Sequence, residues 1–315
     1  MLNYFKHLLK GIIKYLKWVI HYFKYLSFSK PEKQQIIICF DGVFFHGGLV
    51  DRLKGIISYY QVAVKLGYDF KILFYDPFDL DQFLIPNQVD WVLKPKDVKW
   101  HPFKDKFIYT VNNFNFDPYN SLKHNKSKRY FVYANIDYSS SIFKDFNEVE
   151  LAKQWSFDFN KLFKKSPLLQ QRLEEESQSK FTAFHTRFTS LMGDFKDTTS
   201  LVLSVREQQD LKQKLLEKMQ FLAKDNTAFI FSDSINFIEF VTKNSMIKTI
   251  KGKPFHMDNF DSESSIEGHL KTLVDFFMLA NSEQIYFLKS DKMYSSSFSK
   301  YASFIGDVPF KSIEL

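Results

Sequence analysis

The sequence predicts an α/β protein made of two Rossmann-like halves that follow an N-terminal amphipathic helix. From Gln34 onward, short apolar and β-branched runs alternate with stretches of helical periodicity, the pattern of a mostly parallel sheet covered by helices. The length of 315 residues exceeds one typical domain and fits two. Residues 1 to about 30 form a region of their own, apolar at helical spacing, basic elsewhere and without an Asp or Glu.

In that first region Phe5, Leu9, Ile12, Leu16, Val19 and Phe23 recur as one helical face, while Lys6, Lys10, Lys14, Lys17, His21 and Lys24 occupy much of the rest. Pro31 ends the pattern. Basic side chains near an anionic leaflet contribute roughly 1 kcal/mol each before screening, so residues 1–30 are expected to meet an anionic membrane surface and to be dispensable for binding at any site elsewhere. The alternative is a helix that packs on the protein body or on a partner. Lysines interrupt every early apolar run, so no span of about 20 apolar residues exists, and a cleavable signal peptide is not expected for want of a clean apolar centre. The expected location is cytoplasmic, peripheral to the inner face of the membrane.

The first half opens as a βαβ unit: strand Gln35 to Phe40, helix Asp51 to Leu66 closed by Gly67, strand Phe70 to Phe74. Residues 76–130 hold short apolar pieces near Phe83, Trp91 and Phe107 to Val111, read as strands joined by irregular loops. Tyr130 to Ala134 follows as a strand, then helices at Asp145 to Phe163 and Pro167 to Glu176. In the second half the expected strands are Phe181 to Phe188, Thr227 to Ser232, Met246 to Ile250 and Ile285 to Leu288. Ser204 with Glu207 and Ser264 with Glu267 have the capping-box spacing of helix starts. The Glu-Ser-Gln run near residue 177 sets the expected boundary, giving domains 34–177 and 178–315.

Hydrophobic residues at 45% and charged residues at 25% exclude a chain that is disordered as a whole. A net charge of +7 would suit a polyanionic partner, but abundant Lys, Phe, Tyr, Ile and Asn together read as AT-rich coding, so charge alone decides little. Cys39 is the single cysteine, which excludes a disulfide framework and a thiolate metal cluster.

In parallel α/β sheets ligands sit at the carboxyl ends of the strands, so chemistry is sought there. The turn after the first strand carries three of the ten glycines, in Asp41-Gly42-Val43-Phe44-Phe45-His46-Gly47-Gly48-Leu49-Val50-Asp51-Arg52. Missing Cβ atoms and a following helix N-terminus suit a phosphate or sugar; a plain tight turn is the alternative. This is neither GxGxxG nor a Walker motif, so the ligand class stays open. At the next candidate, His185-Thr186-Arg187, an arginine at a strand end can reach a diphosphate with a bidentate fork. Gly193-Asp194 shortly after offers a carboxylate that could accept a proton from an attacking hydroxyl. Ser232-Asp233-Ser234 could bind a base or ribose, or simply cap the next helix. Ser295 to Ser299, before a short helix, would suit a phosphate.

Taken in order, Gly47 to Leu53, His185 to Arg187, Phe231 to Ser234, Thr272 to Ala280, Ser295 to Ser299 and Ala302 to Phe304 resemble the fucosyltransferase superfamily, which includes the α-1,2-, α-1,6- and protein O-fucosyltransferases. The resemblance spans roughly residues 36 to 306. It implies a GT-B-like α/β fold with two Rossmann-like domains facing a cleft, and an inverting, metal-independent transferase without a cofactor. The donor would be GDP-fucose or another nucleotide sugar, held mainly by the C-terminal domain, and the acceptor a glycan or lipid-linked oligosaccharide. The implied donor-binding residues are His46, Gly47, Gly48, Arg52, His185, Arg187, Asp233, Ser234, Asp275, Ser297, Phe298 and Ser299, with Arg187 and Asp194 the catalytic candidates. The family's His-x-Arg-Arg-Gly-Asp element is matched at His185 and Arg187; Phe188 replaces its second arginine, and Gly193-Asp194 come late. Related enzymes differ in whether they use a base at all.

Two other readings compete. Asp79-Leu80-Asp81 has the Asp-x-Asp form of metal-dependent glycosyltransferases, although Asp76-Pro77-Phe78 separates it from the preceding strand. A non-catalytic basic polysaccharide- or nucleic-acid-binding protein would use the charge and the 18% aromatic content, but no RNA or DNA motif is present and the aromatics lie inside apolar runs, so nucleic acid is not expected.

Overall fold

The computed structural model describes residues 2–29, 32–176, 180–197, 199–224, 226–255, 257 and 266–315, with side chains in the first helix described from Leu9. The chain divides into two compact units, residues 1–81 with 85–164 and residues 82–84 with 165–315.

The first unit begins with α1 (Leu2–Tyr22), followed by β1 (Gln35–Phe40), α2 (Leu49–Leu66) and β2 (Asp69–Phe74). After the short strand β3 (Leu84–Pro86) come β4 (Asp105–Tyr109), α3 (Pro118–Lys123), β5 (Arg129–Tyr133), α4 (Ser139–Ile142), α5 (Glu148–Leu162) and β6 (Phe163–Lys165). Its sheet runs β2-β1-β5-β4, all parallel, while β3 and β6 pair as a separate two-stranded sheet. β1 sits centrally and is buried on both faces, which is why it reads as an unbroken apolar run rather than an alternating one. Gly67, at φ +66°, caps α2 by donating to Ala63 and Val64 carbonyls, as the sequence predicts. Gly55 lets α2 lie close to the chain after β5: a Cβ there would come 2.4 Å from the Ala134 carbonyl oxygen.

α1 belongs to this unit's core. Trp18 and Tyr22 are buried with Ile37, Cys39, Val43, Leu73, Val98, Trp100, Phe131 and Tyr133. The Trp18 ring stacks on Tyr22 and meets Trp100 edge-on, and backbone bonds between Ser27 and Trp100 and between Trp100 and Tyr25 hold the segment that follows. Of the periodic face, Val19 is partly buried against this core, and the main packing face is a second one. Leu9, Ile12, Leu16 and Phe23 are exposed, whereas the buried pair is aromatic with polar tips. The choice follows from what the sheet offers: β1 ends at the buried carboxylate of Asp41, and Tyr22 fills the apolar space while donating to it (Tyr22 Oη to Asp41 Oδ2, 2.8 Å), with His21 Nε2 at 3.8 Å.

The second unit contains α6 (Pro167–Glu175), β7 (Thr182–Thr186), α7 (Val205–Ala223), β8 (Ala228–Ser232), α8 (Ile235–Asn244), α9 (Ile266–Ala280), β9 (Gln284–Lys289), α10 (Phe298–Gly306) and β10 (Phe310–Glu314). Its sheet is β10-β9-β7-β8, again all parallel. The chain divides at Lys164–Lys165, so α6, which packs on α9, falls in this unit. α7 starts at the Ser204–Glu207 capping box. The corresponding reading at Ser264 lies outside the described residues. Met246 to Ile250, expected as a strand, forms one isolated bridge from Lys248 to Phe229 before Gly252 (φ +103°) turns the chain. β10, an exposed edge strand, is not apparent in the sequence because Lys311 and Ser312 interrupt its apolar residues.

Candidate functional site

The register of the second sheet brings the predicted residues together. β7 pairs with β8 so that His185 lies beside Phe231 and Thr186 beside Ser232. The residues that leave these strands, Arg187 to Thr189 and Asp233 to Ser234, therefore emerge side by side, and the Thr186 hydroxyl donates to Ser232 Oγ at 2.9 Å. Asp233 ties the two loops, accepting the backbone N–H groups of Phe188 (2.8 Å) and Thr189 (2.7 Å). Thr189 sits at φ +57°, a conformation unusual for a β-branched residue, and these hydrogen bonds hold it there.

Arg187 is clamped between carboxylates: Nη1 lies 3.3 Å from Asp233 Oδ2, Nη2 pairs with Asp197, and the guanidinium rests over the Phe195 ring. Burial raises the Asp233 pKa, while Arg187 and the two backbone donors pull it down. On the other side of β7, His185 Nδ1 is 2.8 Å from the hydroxyl of buried Ser299, the second residue of α10, and its ring lies between Phe287 and Phe298. Burial first, and then the charge of Arg187, push the His185 pKa down to about 3, so the imidazole is neutral near pH 7. The serine-rich segment before α10 is thereby fixed to the strand that carries Arg187. Ser297 is the N-cap residue of α10 and Phe298 begins it; both are half-buried.

Two predicted residues have other partners. Asp194 Oδ2 accepts from Ser234 Oγ (2.9 Å) and Asn236 N (2.7 Å), and Ser234 Oγ in turn accepts from Phe237 N, so the pair caps α8. The other Asp194 oxygen is buried without a hydrogen-bond partner. Asp275 accepts from Lys271 one turn earlier in α9, at 2.6 and 2.7 Å, and its hydrogen bonds stay on its own helix. Asp197 was missed by sequence reasoning: it lies in a loop without periodicity, where an acid has nothing to mark it.

The remaining candidates lie at the carboxyl end of β1 in the first unit. Gly47, at φ +86°, turns the chain into α2, and a Cβ there would meet Asp51 Oδ2 at 2.6 Å; around Gly48, the N-cap residue, space is open. Arg52 braces this turn, donating from Nε to the Gly47 carbonyl (3.1 Å) and from Nη1 to the Asp76 carbonyl (2.9 Å), with its guanidinium near the Phe40 and Phe74 rings. His46 is buried, stacks on Tyr133, and has no hydrogen-bond partner at either ring nitrogen. Burial and the nearby Arg52 push its pKa down to about 3, against a smaller opposing effect of the Ala134 backbone. Beneath it Asp41 accepts from Tyr22, Tyr133 (2.6 Å) and Val43 N (3.1 Å). That cluster was also missed, because no short motif links residues so far apart in the chain.

At Asp79 and Asp81 the Lys94 ammonium bonds both carboxylates, at 3.1 and 2.8 Å, and takes the position a divalent ion would need. Among the described residues, no group of three or more His, Cys, Asp or Glu is placed to hold a metal ion.

No protein-family model and no curated protein matches this sequence. Solved structures do match. A crystal structure of NodZ α-1,6-fucosyltransferase soaked with GDP-fucose aligns over 87% of this chain and 93% of its own, at TM-score 0.52 and 13% identity. The same enzyme co-crystallised with GDP aligns over 86% and 92%, at 0.52 and 14%. Selenomethionine NodZ from Bradyrhizobium aligns over 86% and 92%, at 0.53 and 14%. The chain has a fucosyltransferase-like, GT-B-like fold, similar to that of NodZ.

Proposed function

We propose that this chain is an inverting, metal-independent glycosyltransferase that takes a nucleotide sugar, GDP-fucose first, and transfers the sugar to a glycan or lipid-linked oligosaccharide at the cytoplasmic face of a membrane. The observation that carries the reading is the constellation at the carboxyl end of the second sheet. There Arg187, Asp233 and the His185–Ser299 pair converge on strand β7. The NodZ structures with GDP-fucose and GDP support the donor class.

In this reading the second unit holds the donor and the first the acceptor. An acceptor hydroxyl attacks the anomeric carbon, the bond from that carbon to the diphosphate oxygen breaks, and GDP leaves with the added negative charge. Arg187 supplies a permanent cation and a planar fork to that charge, exchanging its Asp197 partner for phosphate oxygens. The N-terminus of α10, with Ser297 and Phe298, offers backbone N–H donors to the β-phosphate. Neutral His185 fixes this turn through Ser299. Asp233 holds Arg187, and Ser234, half of the α8 cap, flanks the base or ribose. His46, Gly47, Gly48 and Arg52 in the first unit and Asp275 on α9 are the further donor-binding candidates. Asp194 is the candidate base, through the oxygen that caps nothing; its proton would come from the attacking hydroxyl.

A thermal-shift panel with GDP, GDP-fucose, GDP-mannose, UDP-sugars and NAD tests the donor. A ligand at 100 times its Kd adds about 2.7 kcal/mol of stability. GDP and GDP-fucose should raise the midpoint while UDP-sugars and NAD leave it in place. If no nucleotide shifts the protein and no GDP is released from GDP-fucose with any glycan, the reading is wrong.

A further inference from the structure

α1 presents two faces to two environments. Trp18 and Tyr22 point into the first unit, and Lys14 lies over the Tyr109 ring at 3.7 Å on the same side. At 3.6 residues per turn, Leu9, Ile12, Ile13, Leu16 and Ile20 fall on the opposite side within an arc of about 100°. All five are exposed, Ile20 at 75%, and Phe23 in the turn that continues the helix is exposed at 66%. Lys10, Lys17 and Lys24, spaced by seven, line one flank of this face and are exposed too. A contiguous aliphatic ridge of this kind is uncommon on a soluble surface, and burying it requires a partner. The charges say which. Residues 1–31 contain six lysines and no Asp or Glu, so the ridge is bordered by one sign only and complements an anionic surface. No described helix is long and apolar enough to cross a membrane, which leaves the interfacial mode.

We propose that α1 is a fixed membrane-docking ridge: Leu9, Ile12, Ile13, Leu16, Ile20 and Phe23 enter the headgroup boundary of an anionic bilayer while Trp18 and Tyr22 stay in the core of the first unit. The helix does not detach to bind lipid, because the face that folds is not the face that docks. Tyr22 and Tyr133 share the Asp41 carboxylate, so the ridge is bolted to the end of β1 and sets the orientation of that unit on the lipid surface. The inference rests on the peripheral-membrane part of the reading above and is independent of the transferase part.

Flotation of the full-length protein with phosphatidylcholine vesicles, with and without roughly one third phosphatidylglycerol, tests it at low salt and at 0.5 M salt, where surface charge is largely screened. Binding to the anionic vesicles alone, lost at high salt, is expected. Leu16→Asp with Ile20→Asp should weaken binding by about a hundredfold or more, since two side chains that would be buried become charged, and should leave the thermal midpoint unchanged because both sites are exposed. Lys10→Gln with Lys17→Gln and Lys24→Gln should weaken it roughly a hundredfold at low salt. Failure to float with anionic vesicles, equal binding to neutral ones, or full binding by Leu16→Asp with Ile20→Asp overturns the proposal. So does self-association abolished by that double variant without vesicle binding, which would make a second copy the occupant. The GDP thermal shift is read separately, so a failed transferase reading leaves the vesicle result interpretable.

Discussion

Both sheets are four-stranded and parallel, and their carboxyl ends differ in chemistry. At the end of β1 a carboxylate is satisfied by two tyrosines and a backbone N–H, a buried arginine donates to backbone carbonyls, and an aromatic helix covers the group. At the ends of β7 and β8 the arginine is held by carboxylates and remains partly exposed, with 20% of its side chain accessible. The first arrangement leaves its groups committed to the fold. In the proposed reading the second exchanges partners, because an anion that displaces one carboxylate from Arg187 finds the cation already positioned. Polar groups at a strand end are therefore not equivalent evidence of a site: the partners decide, and in the proposed reading the diphosphate competes for the carboxylate-held Arg187.

The largest effect expected from this contrast is structural. A chain that starts at Lys33 would expose Ile37, Cys39 and Phe131 and would leave Asp41 without Tyr22, so that truncation is expected to destabilise the first unit. Trp18→Ala alone should cost about 3 to 5 kcal/mol, measured as a shift in the urea unfolding midpoint. An unchanged midpoint would show that α1 is not part of the core.

That α1 also packs through a second face is not marked in the sequence, for a physical reason. Periodicity finds Leu and Ile readily, and both faces of α1 are apolar, so it selected the more aliphatic one. The packing face was chosen by tyrosine hydroxyls that need a buried acceptor, and nothing local to the helix records that Asp41 would supply it. By contrast β1, α2 with its Gly67 cap, and β7 could be read because their signals are local: an apolar run, a helical period, a left-handed glycine. At the second sheet Arg187 and Asp233 could be found from position after a strand, His185 near a strand end and Ser299 at a helix start, but Asp197 and the pairing of Asp275 with Lys271 depend on packing that spacing does not encode.

Next in size is Arg187→Lys, which sharpens the claim that the second end is the chemical one. Lysine keeps the charge and loses the fork, so turnover should fall by about 2.7 to 4 kcal/mol, roughly a hundred- to a thousandfold, in a protein with an unchanged thermal midpoint. The proposed role is lost if Arg187→Lys turns over GDP-fucose at the native rate.

The two buried histidines give an intermediate effect that compares the ends directly. Both His46 and His185 are pushed down to about 3, chiefly by burial. The unfolded chain takes up their protons near pH 6.5 while the folded chain does not, so stability is present at neutral pH and declines as pH falls from about 6.5 toward 3. At pH 5 the loss should be about 2 kcal/mol for each histidine. His46→Gln and His185→Gln should each remove their own share of the difference between urea midpoints at pH 7 and pH 5. A variant with the full native pH dependence would show that its histidine is protonated in the folded state.

The smallest effect concerns the rival metal reading. Asp79 and Asp81 are half-exposed and already share the Lys94 ammonium, which a bound divalent cation would first have to displace. Partly exposed ion pairs of this kind contribute roughly 0 to 1 kcal/mol, so Asp79→Asn with Asp81→Asn should shift the thermal midpoint by no more than a few degrees. It should leave turnover near the native value, and turnover should also survive EDTA, since Arg187 and the α10 N-terminus would compensate the diphosphate without a divalent ion. Lys94→Ala offers the complementary test. With the ammonium gone the two carboxylates repel each other and are free to take a metal, and if manganese then raised activity, or if chelation abolished the native rate, the Asp-x-Asp pair rather than the ends of β7 and β8 would be where the diphosphate is held.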